Sequence, residues 1–137
     1  MHLSTYLAFN GNCETAFDFY QQALGGEVVE KHTFGASPMA DQVPADWGSK
    51  IMHIHLKVNG QSLMGCDSSE ASSGFKGFNL VLATDNVADA ERLFAALSPG
   101  ATITMPLDKT FWAERFGMLV DQFGLTWAIN CDLPPAA

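Results

Sequence analysis

Ile51 to Cys66, IMHIHLKVNGQSLMGC, decides the fold. Two apolar-rich runs flank Asn59-Gly60, and Asn-Gly in that setting predicts a two-residue hairpin turn, because both central positions of a type I′ turn need positive φ. The turn sets the register: Val58 opposite Gln61, then Leu56 opposite Leu63, His55 opposite Met64 and His53 opposite Cys66. Residues directly opposite share a face, so alternation sorts the side chains. Ile54, Leu56, Val58 and Leu63 form one apolar face. His53, His55, Lys57, Ser62, Met64 and Cys66 form the other. One face is built for a core, and the other for a site.

Working outward, Thr5 to Phe9 reads as a strand closed by Asn10-Gly11, with Asn12 as the N-cap of a helix and Glu14 in its first turn. Cys13, Phe17, Tyr20 and Leu24 recur at helical spacing, and Gly25-Gly26 stops the helix. Glu27 to Phe34 is strand-like, and Gly35 to Gly48 is a long aperiodic loop with two prolines. After a polar linker, Asp67 to Gly74, the pattern restarts. Gly77 to Ala83 predicts a strand, Asp85 or Asn86 a cap, and Val87 to Leu97 a helix ended by Pro99-Gly100. Strands follow at about Thr102–Leu107, Phe116–Val120 and Leu125–Cys131, the last two joined by Asp121–Gly124. The offset from Asn12 to Asn86 is 74 residues, as is that from Tyr20 to Phe94; Gly60 and Gly124 differ by 64, the shortfall matching the long first-half loop. The order strand, helix, three strands occurs twice. The predicted architecture is α+β: a single domain over 1–137, with module one at about 1–68 and module two at about 75–132.

Composition sets limits on function. The chain has 137 residues, 47% hydrophobic and 16% charged, enough for a core without disulfides. Fifteen acidic against seven basic residues give a formal charge of -8, which argues against nucleic acid and against an anionic membrane surface. No apolar run approaches the roughly 18 residues of a membrane span. The start, MHLSTYLAFNGN, lacks the basic and apolar regions of a secretory signal. Cys13, Cys66 and Cys131 are odd in number and widely spaced, which predicts free thiols in a reducing cytoplasm rather than a disulfide or zinc site. Leu133 to Ala137 reads as a tail.

Three stretches carry a family resemblance: YLAFNGNCETAFDFYQQALGG (6–26), IMHIHLKVNGQSLMGCD (51–67) and TFWAERFGMLVDQFGLTWAINC (110–131). Together with the doubled βαβββ order they resemble the vicinal oxygen chelate superfamily (glyoxalase, bleomycin resistance, dihydroxybiphenyl dioxygenase), and within it the PhnB-like branch. The resemblance implies two tandem βαβββ modules, with mixed sheets curved around a cavity, and a homodimer. Members of that branch carry the label demethylubiquinone methyltransferase, yet the sequence has no glycine-rich strand-to-helix turn of the kind that cradles a nucleoside cofactor.

In metal-using members, the first and last strand of each module each supply one His, Glu or Gln ligand. The resemblance carries those positions onto Thr5, Met64, Asn79 and Ala128. None suits a divalent first-row metal, so no metal or other cofactor is expected at the family's positions. The expected ligand-lining residues are Thr5, His53, His55, Met64, Asn79, Phe111, Trp112, Phe116, Thr126, Ala128 and Asn130. Histidine as a residue type titrates near neutral pH, which makes His53 and His55 the best candidates for general-base or anchoring work; two histidines at i, i+2 also leave metal ligation open, and a role as polar residues on a wet face is the remaining alternative. Phe111, Trp112 and Phe116 suit either a wall that stacks on a planar ligand, the second module's core, or a subunit interface. Trp127 and Ile129 have core parity; His2 and His32 read as surface residues. Two functions stay open. One is metal-independent small-molecule binding in a sheet-lined cavity; the other is an enzyme, of lyase, isomerase or transferase type, with a non-standard site built on His53 and His55.

Overall fold

The computed structural model describes residues 1–71 and 74–135. Ser72 and Ser73 of the expected linker, and Ala136 and Ala137 of the expected tail, lie outside the described residues. The chain divides into two compact units, residues 1–73 and 74–137.

The first unit contains β1 (Thr5–Phe9), α1 (Cys13–Leu24), β2 (Glu27–Thr33), β3 (Ile51–Val58) and β4 (Gln61–Asp67). Its sheet runs β1-β4-β3-β2, with β1 parallel to β4 and the other pairs antiparallel. The hairpin forms as expected: Asn59 and Gly60 both take positive φ, +51° and +78°. Val58 faces Gln61, Leu56 faces Leu63 and His55 faces Met64, and the ladder ends at Ile54–Gly65, one step short of the expected His53–Cys66 pair. Leu7, Phe9, Ile54, Leu56 and Leu63 are buried on the face that packs under Phe17 and Tyr20 of α1. Gly65 makes that approach possible, since a Cβ there would lie 2.8 Å from both the Leu7 carbonyl oxygen and Phe17 Cε1.

The cap of α1 corrects the expectation. The Asn12 side chain makes no capping bond. Instead the carboxylate of Asp67, the last residue of β4 and 2% exposed, accepts from the N–H groups of Gly11 (2.9 Å) and Cys13 (3.0 Å) through Oδ1 and of Ile51 (2.8 Å) through Oδ2. A buried carboxyl group that accepts three backbone N–H bonds does what a local cap does elsewhere. The long loop between β2 and β3 holds two short 3₁₀ turns, Ala40–Gln42 and Ala45–Trp47, and is closed by the bonds from Phe34 N–H to Lys50 O and Gly35 N–H to Gly48 O.

The second unit repeats the order with β5 (Leu80–Thr84), α2 (Val87–Leu97), β6 (Thr102–Asp108), β7 (Ala113–Val120) and β8 (Thr126–Asp132), in the sheet order β5-β8-β7-β6. Here Asn86 caps as expected, its Oδ1 accepting from Asp89 N–H at 3.1 Å. Two boundaries move by three residues, the others by at most one. β5 starts three residues late because Gly77 turns the chain at φ +85°. β7 starts three residues early, at Ala113, because Thr110 Oγ1 closes the turn on the N–H groups of Trp112 and Ala113, so that Ala113 pairs with Asp132. Pro106 sits in β6, an edge strand, within the register shift between Met105 and Asp108, where its missing N–H costs the ladder little. Trp127 and Ile129 are core, as their parity requires. Asp121 mirrors Asp67: its Oδ1 accepts from the N–H groups of Phe123 and Leu125, and its Oδ2 from Trp127 Nε1 at 2.8 Å.

Candidate functional site

The face of the first sheet away from α1 collects the titratable groups. Register places Tyr6, Met64, His55 and Glu30 in one row across the four strands, with His53 and His32 opposite each other in the next. Glu30 and His32 reach this face because β2 is bulged between Val28 and Glu30. Lys31, between them, turns to the helix side and pairs with Glu14 of α1.

A hydrogen-bonded chain crosses the face. Tyr6 Oη lies 3.0 Å from His53 Nδ1, His53 Nε2 lies 3.2 Å from Glu30 Oε1, and Glu30 Oε2 lies 3.2 Å from His32 Nε2. The bond to His32, and then the charge of His53, hold the Glu30 carboxyl below its usual range against the opposing effect of desolvation. An ionised carboxylate only accepts, so the proton of a neutral His53 sits on Nε2 and its Nδ1 accepts from the Tyr6 hydroxyl. Burial, with the neighbouring Cys66 thiol, pushes the Tyr6 phenol up to about 12. Burial also raises the Cys66 thiol, with Tyr6 partly opposing it, so neither group ionises readily. His55 forms a separate pair, its Nε2 2.7 Å from Ser62 Oγ.

Several expectations are corrected by this geometry. His53, His55 and Met64 do share the face, but Thr5 does not: it pairs with Leu63 on the helix side, and Tyr6 stands beside Met64 instead. Asp67 is committed to backbone donors. Tyr6 and Glu30 were not expected on this face, and His32, expected at the surface, is exposed there. Only the alternation of Thr5–Phe9 hinted at Tyr6, and the bulge that puts Glu30 and His32, both exposed, on this face leaves no mark in the letters.

In the second unit, the face away from α2 has rows Val81–Ala128–Met118–Met105 and Ala83–Asn130–Phe116–Asp108, with Thr126 opposite Val120. Phe116, Thr126, Ala128 and Asn130 therefore share one face. Asn79 precedes β5 and is exposed, and Val81 is the residue beside Ala128. Phe111 and Trp112 are 90% and 46% exposed, which removes the core alternative for both; Trp112 touches Phe111 and Phe116 edge to face, at centroid distances of 4.8 and 5.5 Å. This face is apolar and aromatic where the first is polar.

The doubled βαβββ order with these equivalent rows is matched by a family profile, Glyoxalase/Bleomycin resistance protein/Dioxygenase superfamily, over residues 2–129. The chain belongs to this superfamily. Protein YjdN of Escherichia coli K12 is 35% identical over an alignment of 139 positions covering 95% of each chain. Among solved structures, protein PA1353 from Pseudomonas aeruginosa is 46% identical with a TM-score of 0.87, covering 96% of this chain and 98% of its own. The PhnB protein from Bacillus cereus, at 23% identity and a TM-score of 0.81 over 96% of this chain and 99% of its own, shares the fold.

Metal-using members of the superfamily need a ligand at four strand positions, which register assigns here to Tyr6, Met64, Val81 and Ala128. A phenol that resists ionisation, a thioether and two hydrocarbon side chains do not fit a divalent first-row cation. Nor does any group of three or more His, Cys, Asp or Glu among the described residues converge on such a site. Among the described residues no helix is long and apolar enough to cross a membrane.

Proposed function

We propose that this chain binds a small molecule on the histidine-bearing face of its first sheet, without a metal, the Tyr6–His53–Glu30 chain being the polar anchor. The observation that carries this reading is that chain itself. Three elements that are distant in sequence place donors and acceptors in one line on an open sheet face, where a merely solvated face needs no such line. Ligand sites characteristically pair a few placed polar groups with apolar lining, and Met64 supplies lining beside them. In the second unit we assign Phe116, Trp112, Phe111, Ala128, Thr126 and Asn130 to a separate apolar platform. The free thiols of Cys13, Cys66 and Cys131 suit a cytoplasmic setting. A homodimer is consistent with β1 and β5 being sheet edges able to take a further strand; sedimentation at the mass of a monomer would overturn that part.

The test is an amide NMR titration of the labelled protein with a fragment library. Hits should shift resonances of Tyr6, His53, His55 and Met64 together. Shifts confined to other surfaces, or none with any compound, would overturn the proposal.

A second reading, catalysis, is favoured by the same chain and by the His55–Ser62 pair. A hydroxyl backed by a histidine that is itself oriented by a carboxylate is an acid–base arrangement, and His55 Nε2 at 2.7 Å from Ser62 Oγ is within proton-transfer reach. Loss of turnover in His53→Ala or His55→Ala with the fold retained would decide for it.

A further inference from the structure

The direction of the Tyr6–His53 hydrogen bond depends on one proton, and this gives the face a ligand class. With His53 neutral, the Tyr6 hydroxyl donates inward to Nδ1, 3.0 Å away, and has no proton left for a ligand. With His53 doubly protonated, Nε2–H stays on Glu30 Oε1 while Nδ1–H donates to Tyr6 Oη, and the hydroxyl is released to donate outward. We propose that Tyr6 anchors a ligand presenting an anionic oxygen, a phenolate or carboxylate, and that binding places a proton from solvent on His53. This deepens, and rests on, the reading of this face as the binding surface.

Charge argues for the same coupling. An anion accepting from the Tyr6 hydroxyl, on the Nδ1 side of His53, and the Glu30 carboxylate, on its Nε2, lie at opposite ends of one chain, so binding with the ring neutral would set two negative groups around an uncharged Tyr6–His53 spacer. The added proton removes that conflict and turns both contacts into charge-assisted bonds. The groups facing His53 come from every strand of the sheet: Tyr6 from β1, Cys66 from β4, Glu30 and His32 from β2, and His55 two residues along its own strand. Cys66 stays a neutral thiol, and Tyr6, about half exposed, keeps its proton over the working range. Glu30 is the standing negative charge beside the ring. A neutral acid held protonated so that it donates to an oxyanion is an established catalytic device; here it is read as a binding anchor.

The test uses 4-nitrophenol as the probe, at about pH 8.5, where the probe is phenolate and an ordinary histidine, near 6.5, is neutral. Amide NMR locates the probe, its visible absorbance reports its ionisation state, and calorimetry in two buffers of different ionisation heat counts protons taken up. The expected result is binding at Tyr6, His53 and Met64 with the phenolate band retained and a proton taken up. Tyr6→Phe should weaken binding about tenfold or more, the worth of a hydrogen bond to a charged group. His53→Gln, which cannot be charged, should abolish the uptake. Amide spectra of both variants confirm that they fold.

Three results would overturn the inference: binding on this face with no proton uptake, equal affinity in Tyr6→Phe, or loss of the phenolate band, which would put the proton on the probe. Failure of the probe to bind this face would also overturn it. The fragment titration separates the two levels, since other compounds shifting these strands would leave the binding face standing and remove only the oxyanion class.

Discussion

Asp67 Oδ1 accepts the backbone N–H of Cys13 at 3.0 Å, so the first turn of α1 is capped by a carboxylate 54 residues away in sequence. The same side chain holds Gly11 and Ile51, and thereby ties the start of α1 and the start of β3 to the end of β4. Asp67→Ala leaves these backbone donors without their acceptor, two of the three bonds being buried, and is expected to cost about 3–5 kcal/mol. Asp67→Asn, which keeps one acceptor oxygen, should cost less. Urea unfolding measures both.

Gly65 and Gly60 separate two reasons for glycine. A Cβ on Gly65 meets the Leu7 carbonyl oxygen and Phe17 at 2.8 Å, whereas one on Gly60 meets nothing within 4 Å but carries φ +78°. Gly65→Ala should therefore destabilise by about 1–3 kcal/mol through overpacking under α1. Gly60→Ala should cost about 1 kcal/mol through backbone strain alone. Equal losses in denaturant melts would contradict this division.

The Tyr6 phenol carries a pH signature. Its value in the fold, about 12, lies above the ordinary 10.0, so the folded protein holds this proton more tightly than the unfolded chain does. The sign follows: that contribution is present in full below pH 10 and is lost as pH rises from about 10 towards 12. Tyr6→Phe should remove the late phenol ionisation seen by ultraviolet difference spectra and flatten stability over that window.

The tryptophans of the second unit should respond unequally. Trp127, 1% exposed and bonded to Asp121 through Nε1, should cost about 3–5 kcal/mol on change to Ala, with a buried carboxylate oxygen losing its donor as well. Trp112, nearly half exposed, loses only its ring contacts, and Trp112→Ala should cost about 1 kcal/mol or less. Thermal melts of the two variants check the ranking.

Local geometry made most of the fold legible in the letters, the cap of α1 and the starts of β5 and β7 excepted. Asn59-Gly60 could make only one kind of hairpin, and period two then placed Ile54, Leu56 and Leu63 against His55 and Met64; helical spacing located both helices, and the equal offsets exposed the repeat. Which distant groups meet depends instead on how the strands assemble. Asp67 reaches Cys13, and Tyr6 reaches His53, because β1 returns to pair in parallel with β4, an alignment set by packing under α1 rather than by neighbouring letters. One residue of register moved the family's first-strand position from Thr5 to Tyr6, since a single step flips a side chain across the sheet. Glu30 reached the histidine-bearing face through a bulge in β2, an inserted residue whose position depends on the partner strand and so is written in neither strand alone.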